Sequence, residues 1–367
     1  GVPMPHIVLG PIDLTFNGGW SLYQFFAVCY FIGIVIALRI VRSPVGAILR
    51  AIRDNPQRAA AVGHNIHGYK LTAFVIAAAY AGFAGGLLGV LQSFMPPDAF
   101  TFATSGQLVM QTAIGGTGTL FGPLLGAAVW LFLQDYLQSA TPLGAAWKLV
   151  LGIIFVLLII FLRRGIVGGI TDLWRMVRPA RIHKAPAEPT AAASAAPDDA
   201  PVRRPPSSER IAIETRGLGK RYGGIVANEA IDFVVYEGEI RGLIGPNGAG
   251  KSTFFKMLTG EIRPSTGTVT MFGEDTTGLG VTAVCQKGIA KSYQINQLFS
   301  KLTVRRNLMI SALSRMRGSY RSDLLRSTDH MPELNADIDE TLGMLNLTAR
   351  ADVPVSELAY GEKRRLE

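Results

Sequence analysis

The apolar positions of this chain fall into long runs in its first half and short alternating ones in its second. From Trp20 to Val41 one run holds a single charge, Arg39, near its end, and its length is about one membrane thickness of helix. A second, 71–94, is uncharged throughout. It carries two overlapping GxxxG pairs, Gly82 with Gly86 and Gly85 with Gly89, which predict close helix packing. A third, 105–137, has one charge, Asp135, and is too long for a single crossing of about 20 residues. The stretch Gly115-Gly-Thr-Gly-Thr-Leu-Phe-Gly-Pro123 breaks it. A fourth run, about 143–162, ends at Arg163 and Arg164. Basic residues mark cytoplasmic ends, so an even number of crossings must separate Arg39 and Arg42 from Arg163 and Arg164. The pattern therefore predicts five crossings, the middle stretch crossing twice around its glycine hinge. That hinge either lines a path through the membrane or is a structural bend.

Between the first two runs lies a polar, basic stretch, Arg42 to Lys70. Ser43-Pro44 is a cap followed by a favoured first helical residue, and it predicts a short helix from Pro44 to Asp54. A second is predicted from Pro56 to Val62, stopped by Gly63. With Arg39, Arg42, Arg50, Arg53, Arg58 and Lys70, this loop is expected on the cytoplasmic side. It is either a docking element or a solvated basic loop.

Past Arg178 the composition changes. Pro179 to Glu209 holds seven prolines and nine alanines and almost no large apolar residue, which reads as an extended linker. Its reach of roughly 30 Å would let a soluble domain sit beneath the membrane part. The domain boundaries are accordingly 1–178 for an all-α transmembrane part, 179–209 for the linker and 210–367 for an α/β part.

The 367 residues are 49% hydrophobic and 17% charged, against roughly 25% charged in an ordinary soluble domain, consistent with a membrane half. A net charge of +9 could point to nucleic acid, but many of the arginines flank apolar runs as cytoplasmic membrane flanks do, so membrane lipid is the expected partner and nucleic acid is not. Cys29 and Cys285 stand far apart and imply no disulfide framework.

Gly245-Pro-Asn-Gly-Ala-Gly-Lys-Ser252 fits the phosphate-loop template GxxxxGK[ST] at every fixed position. Gly245, Gly248 and Gly250 let the backbone of the loop, which also holds Pro246, Asn247 and Ala249, turn with its N–H groups pointing inward at phosphate oxygens. Lys251 would reach the β and γ phosphates and the Ser252 hydroxyl a Mg²⁺ ion. Residues 239–244 read as a short strand leading in, and Thr253 continues a helix whose N-terminus faces the anion.

Further motifs narrow the reading. Tyr222, in Gly217-Leu-Gly-Lys-Arg-Tyr-Gly-Gly224, stands where the ATPases of ABC transporters carry the aromatic that stacks on adenine, although alone it could be an ordinary half-buried aromatic. Ile289-Ala-Lys-Ser-Tyr-Gln294 resembles their Q-loop, which would make Gln294 a contact for Mg²⁺ or the attacking water. Leu358-Ala-Tyr-Gly-Glu362 resembles their signature sequence, assigning Leu358, Ala359, Tyr360, Gly361 and Glu362 to it. Together with Leu298-Phe-Ser-Lys-Leu-Thr-Val304 these segments are similar to the ATP-binding subunit of branched-chain amino acid uptake ABC importers. The first half resembles the permease subunit of the same systems, through Ser43-Pro-Val-Gly, Arg50-Ala-Ile-Arg-Asp-Asn-Pro, Ala59-Ala-Ala-Val-Gly63, Tyr69-Lys-Leu-Thr-Ala-Phe and the glycine hinge at 115–123.

The resemblance implies an ATP- and Mg²⁺-using fused permease and ATPase of a bacterial inner membrane, multi-pass, with its ATPase domain cytoplasmic and the loop 42–70 docked on it. Implied partners are a second permease subunit, a second ATP-binding subunit and an external solute-binding protein. The competing reading is a membrane-anchored P-loop ATPase that regulates or assembles a partner without transport. Two departures stand out. Ala359 lacks the serine hydroxyl of the general signature, and Arg306 precedes Asn307 where the family usually has an acid. No catalytic residue is assigned within the 367 residues, because the family's Walker B aspartate, catalytic glutamate and switch histidine are expected past Glu367, as early permease spans are before Gly1. As it stands the chain is expected to bind ATP weakly without hydrolysing it.

Overall fold

The computed structural model describes residues 6–9, 12–15, 19–92, 94, 96–139, 146–161, 165–177, 210–293 and 296–367. The linker assigned to 179–209 lies outside the described residues, as do Arg163, Arg164 and Gln294. The chain divides into two compact units, one of 1–38 with 80–194 and one of 39–79 with 195–367. The loop between the first two apolar runs thus belongs with the C-terminal half.

In the first unit a small antiparallel hairpin pairs β1 (His6–Leu9) with β2 (Ile12–Thr15). Helices α1 (Gly19–Arg42) and α4 (Ile66–Gln92) begin or end in this unit, and both are long and apolar enough to cross a membrane. Helices α5 (Phe102–Gly115), α6 (Gly122–Ser139), α7 (Trp147–Phe161) and α8 (Gly165–Val177) follow. At 1.5 Å per residue α5 and α7 are each about 22 Å long, short of a hydrocarbon core of about 30 Å. Among the described residues, then, two helices meet the crossing criterion, where the apolar runs alone predict five crossings. The predicted break at 115–123 falls between α5 and α6.

The close glycine packing is at that break. A Cβ added to Gly126 would lie 1.9 Å from the Gln111 carbonyl oxygen, and one on Gly115 would lie 1.7 Å from that of Gly122. By contrast, Gly82, Gly85 and Gly86 have nothing within 4 Å of an added Cβ, so the expected packing on that stripe has no partner among the described residues. Ile114, Trp130, Leu137 and Leu151 form the buried cluster that joins α5, α6 and α7.

In the second unit α2 (Pro44–Asp54) starts as predicted at Ser43, whose Oγ accepts from the Gly46 N–H at 3.2 Å. Asn55 caps α3 (Pro56–Ala61) in the same way, its Oδ1 accepting from the Arg58 N–H at 3.0 Å. Gly63 follows with a φ of +92°. An antiparallel sheet orders β4 (Ile225–Tyr236), β3 (Ile211–Tyr222), β5 (Thr266–Met271) and β6 (Glu274–Asp275). Helices α9 (Lys251–Leu258), α10 (Val281–Gln286), α11 (Val304–Arg317), α12 (Pro332–Met344) and α13 (Tyr360–Leu366) complete it.

The strand predicted over 239–244 does not form. A strand exists only as part of a ladder, and among the described residues no backbone hydrogen bond involves 240–244. Ile240 and Ile244 are left 83% and 96% exposed.

Candidate nucleotide site and docking surface

The phosphate loop is held by what lies under it. Phe254, Met257 and Leu258 of α9 are buried against Leu218 of β3 and Val269 of β5, which fixes the helix on the sheet. Gly248 and Gly250 take φ values of +87° and +81°, a region L side chains rarely enter. At Gly250 space excludes a side chain as well, since a Cβ would lie 2.3 Å from the Ala227 oxygen. Asn228 of β4 donates from Nδ2 to the Gly250 oxygen at 3.3 Å, tying the loop to the β3–β4 hairpin.

That hairpin also carries Tyr222. Tyr222 pairs with Ile225 and Lys220 with Asn228, so Tyr222 sits on the same ribbon whose Ala227 and Asn228 touch the loop. It is half-exposed, with the Lys220 ammonium 5.3 Å from its ring centroid.

The loop fits a phosphate group on its own evidence. The N–H groups of Gly250, Lys251, Ser252 and Thr253 have no acceptor among the described residues, and they open a helix whose dipole favours an anion. Lys251 Nζ turns back to donate to the carbonyls of Gly245 at 2.6 Å and Pro246 at 2.7 Å. Ser252 is exposed and its hydroxyl has no hydrogen bond among the described residues.

Leu358 to Glu362 belong to a different core. Leu358 and Leu366 are buried with Phe299, Ile310 and Leu334, whereas α9 packs in the sheet cluster. Ala359 caps α13 from an extended backbone, and its N–H donates to Glu362 Oε2 at 3.0 Å. Alanine has no side-chain acceptor, so only that half of the reciprocal cap forms. Glu362 also ion-pairs with Arg350 at 3.4 Å, while Tyr360 is 70% exposed.

The loop 42–70 is seated in the same core as the signature segment. Val45, Ile48 and Ile52 recur on one face of α2 and are buried in a single core with Leu302, Met309 and Ile310. Each such side chain contributes about 1.5–3 kcal/mol on burial, more than the ~1 kcal/mol net of any single hydrogen bond in the seat. The polar contacts therefore set register. Asp54 Oδ2 accepts from the Lys301 N–H at 3.0 Å, Asn55 Nδ2 donates to Gln297 Oε1 at 3.1 Å, and Arg58 Nη2 donates to the Glu367 carbonyl at 3.2 Å. Gln286 Nε2 donates to the Gly63 oxygen at 3.0 Å, and the Asn65 N–H to the Ser319 oxygen at 2.8 Å. The start of α2 is legible in sequence from Ser43-Pro44; its apolar face and the partners of Arg58, His64 and Tyr69, hundreds of residues away, are not.

His64 is fully buried, its Nε2 2.8 Å from the Ile310 carbonyl, which makes Nε2 the protonated nitrogen. Nδ1 is buried without a partner. Burial holds the imidazole below its ordinary value of 6.5, the Ile310 carbonyl opposing and Arg317 adding to the shift. The undocked loop then binds the proton more readily than the docked one. Docking is expected to be at full strength above pH ~6.5 and to weaken as pH falls from there through the folded value. Melting at pH 7.5 and 5.5 checks this: acidification should lower the midpoint more in the native chain than in His64→Gln. Equal losses would remove His64 from the account.

Residues 8–160 match the family of the branched-chain amino acid transport system permease component, and residues 229–367 match the ABC transporter family. The chain joins a permease-family part to an ABC ATPase. The ATPase part is 33% identical over 158 residues to the high-affinity branched-chain amino acid transport ATP-binding protein LivG of Escherichia coli, covering 42% of the chain and 62% of that protein. BraF of Pseudomonas aeruginosa, of the same description, is 32% identical over 43% of the chain and 63% of its own length. Nod factor export ATP-binding protein I of Mesorhizobium japonicum is 34% identical over 54% of the chain and 52% of its own. The fused chain thus spans about three fifths of the length of the first two.

Proposed function

We propose that this permease–ATPase fusion drives uptake of branched-chain or related small solutes across a bacterial inner membrane. The observation that carries it is the seat of α2 and α3: the segment linking the two membrane-length helices is built into the core of the ATPase part. An ATPase merely anchored to a membrane has no need of that. The solute rests on the permease family, since the ATPase half is as similar to a Nod factor export ATP-binding protein as to branched-chain amino acid transport ATP-binding proteins, and the direction rests on the resemblance of the motifs to importers.

In this reading Tyr222 stacks on the base, the backbone of Gly245 to Thr253 and Lys251 hold the phosphates, and Ser252 with Gln294 hold Mg²⁺. ATP supplies the free energy when its terminal phosphate is cleaved. Leu358 to Glu362 face the phosphate loop of a second ATP-binding subunit, and a second permease subunit and an external solute-binding protein complete the assembly. Closure of the two ATPase parts would reach the membrane helices through α2 and α3.

The test is accumulation of labelled leucine in proteoliposomes holding the assembled transporter. Lys251→Ala is expected to bring ATP-dependent uptake to background. ATP hydrolysis by the native assembly with no accumulation of any branched-chain amino acid would favour the anchored-ATPase reading instead.

A further inference from the structure

Between α2 and α11 lies a cavity of about 670 Å³. Its lining includes Arg42, Arg50, Arg305 and Arg306, with Asp329 and Asp352. Arg305 is engaged by Asp339. Among the described residues Arg42, Arg50 and Arg306 have no ion pair and no side-chain hydrogen bond, and Arg50 Nε is buried without a partner. The two lining aspartates do not answer them, since neither ion-pairs with an arginine; Asp329 instead accepts from Ser327 Oγ at 3.4 Å. Burial, then the neighbouring charges of Arg306 and Arg53, hold the Arg50 guanidinium below its usual range.

A half-buried guanidinium such as Arg50, crowded by the like charge of Arg306, is costly unless an anion answers it. Guanidinium groups match phosphate oxygens in a planar, two-point geometry that no other side chain offers. The cavity has room, since a water occupies about 30 Å³. Its position adds a further argument. Arg42 ends α1 three residues after Arg39, the first charge beyond the apolar run, which is about 5 Å along the helix. Phosphate headgroups lie at that depth on a helix that crosses a bilayer.

We propose that this arginine cavity binds a phosphate-bearing anion, either a lipid headgroup at the membrane face or a free phosphate. Arg306 is then a ligand, which gives its departure from the family's usual acid a role. The inference does not depend on which solute is carried.

Binding is measured on the purified full chain in neutral detergent, with short-chain phosphatidic acid, inorganic pyrophosphate and short-chain phosphatidylcholine as probes. Saturable binding of at least one of the first two is expected, and none of the third. Arg306→Glu, at an exposed position, should weaken it roughly tenfold or more, and Arg306→Gln or Arg42→Gln less. The same probes are measured in a Lys251→Ala background, where pyrophosphate held by the phosphate loop is removed and binding at this cavity should persist. Phosphatidic acid bound without pyrophosphate assigns a membrane source; binding of pyrophosphate assigns free phosphate. Binding that survives Arg306→Glu, that disappears in Lys251→Ala, or that neither probe shows overturns the proposal.

Discussion

Replacing Gly63 by proline is expected to reduce solute uptake at least tenfold while ATP affinity stays within a few-fold. Gly63 holds a φ of +92°, where the proline ring requires about −65°, and its N–H donates to the Ala60 oxygen at 2.9 Å, a bond proline cannot make. A Cβ there would also lie 2.6 Å from both Gln286 Nε2 and Ser314 Oγ, the side chains that receive the loop. Forcing a disallowed backbone costs on the order of 1–3 kcal/mol, and the adjoining bonds from Gln286 and to His64 go with it. The phosphate loop is built from other residues in a separate apolar cluster, so distant additivity predicts little change there. Nucleotide titration and leucine uptake on the same preparation check the split. A parallel loss of ATP affinity would mean that the loop supports the ATPase fold rather than conveying its motion.

Where local chemistry decides, the sequence is readable. Ser43-Pro44 and Asn55-Pro56 each set a cap and a first helical residue, and α2 and α3 begin there. The phosphate loop is readable for the same reason, because the φ values of +87° at Gly248 and +81° at Gly250 are ones that L side chains rarely adopt. Where a partner decides, reading fails. Residues 239–244 have the apolar character of a strand, but no described segment pairs with them. His64 looks like one more polar residue of a basic loop, and only the distant Ile310 carbonyl makes it a buried, proton-sensitive contact.

The glycines of the membrane half show the same limit in sharper form. Both 82/86 and 122/126 are GxxxG pairs, and spacing alone cannot say which has a helix against it. The structure places α5 on the second pair and, among the described residues, nothing on the first. The helix-breaking hinge at 115–123 is therefore also a place where two helix backbones meet closely.

That contact sets the second large effect, at Gly126→Ala. On an isolated helix this change would stabilise by about 1 kcal/mol through propensity. Here the new Cβ would lie 1.9 Å from the Gln111 oxygen and 2.7 Å from the Gly115 nitrogen, both backbone atoms that no rotamer change can move. The two helices must separate, and overpacking of this kind costs typically 1–3 kcal/mol or more, so the clash wins and the sign is destabilising. Trp130, one turn along α6, reports it: it is buried and donates from Nε1 to Gln134 at 3.1 Å. With the other tryptophans replaced by phenylalanine, Gly126→Ala should shift Trp130 emission to the red and lower the melting point of the helical unit. Gly106→Ala, on α5 with nothing within 4 Å of the added Cβ, is the control and should do neither. A Gly126→Ala chain that melts higher than the native one would mean α5 and α6 are not packed backbone to backbone.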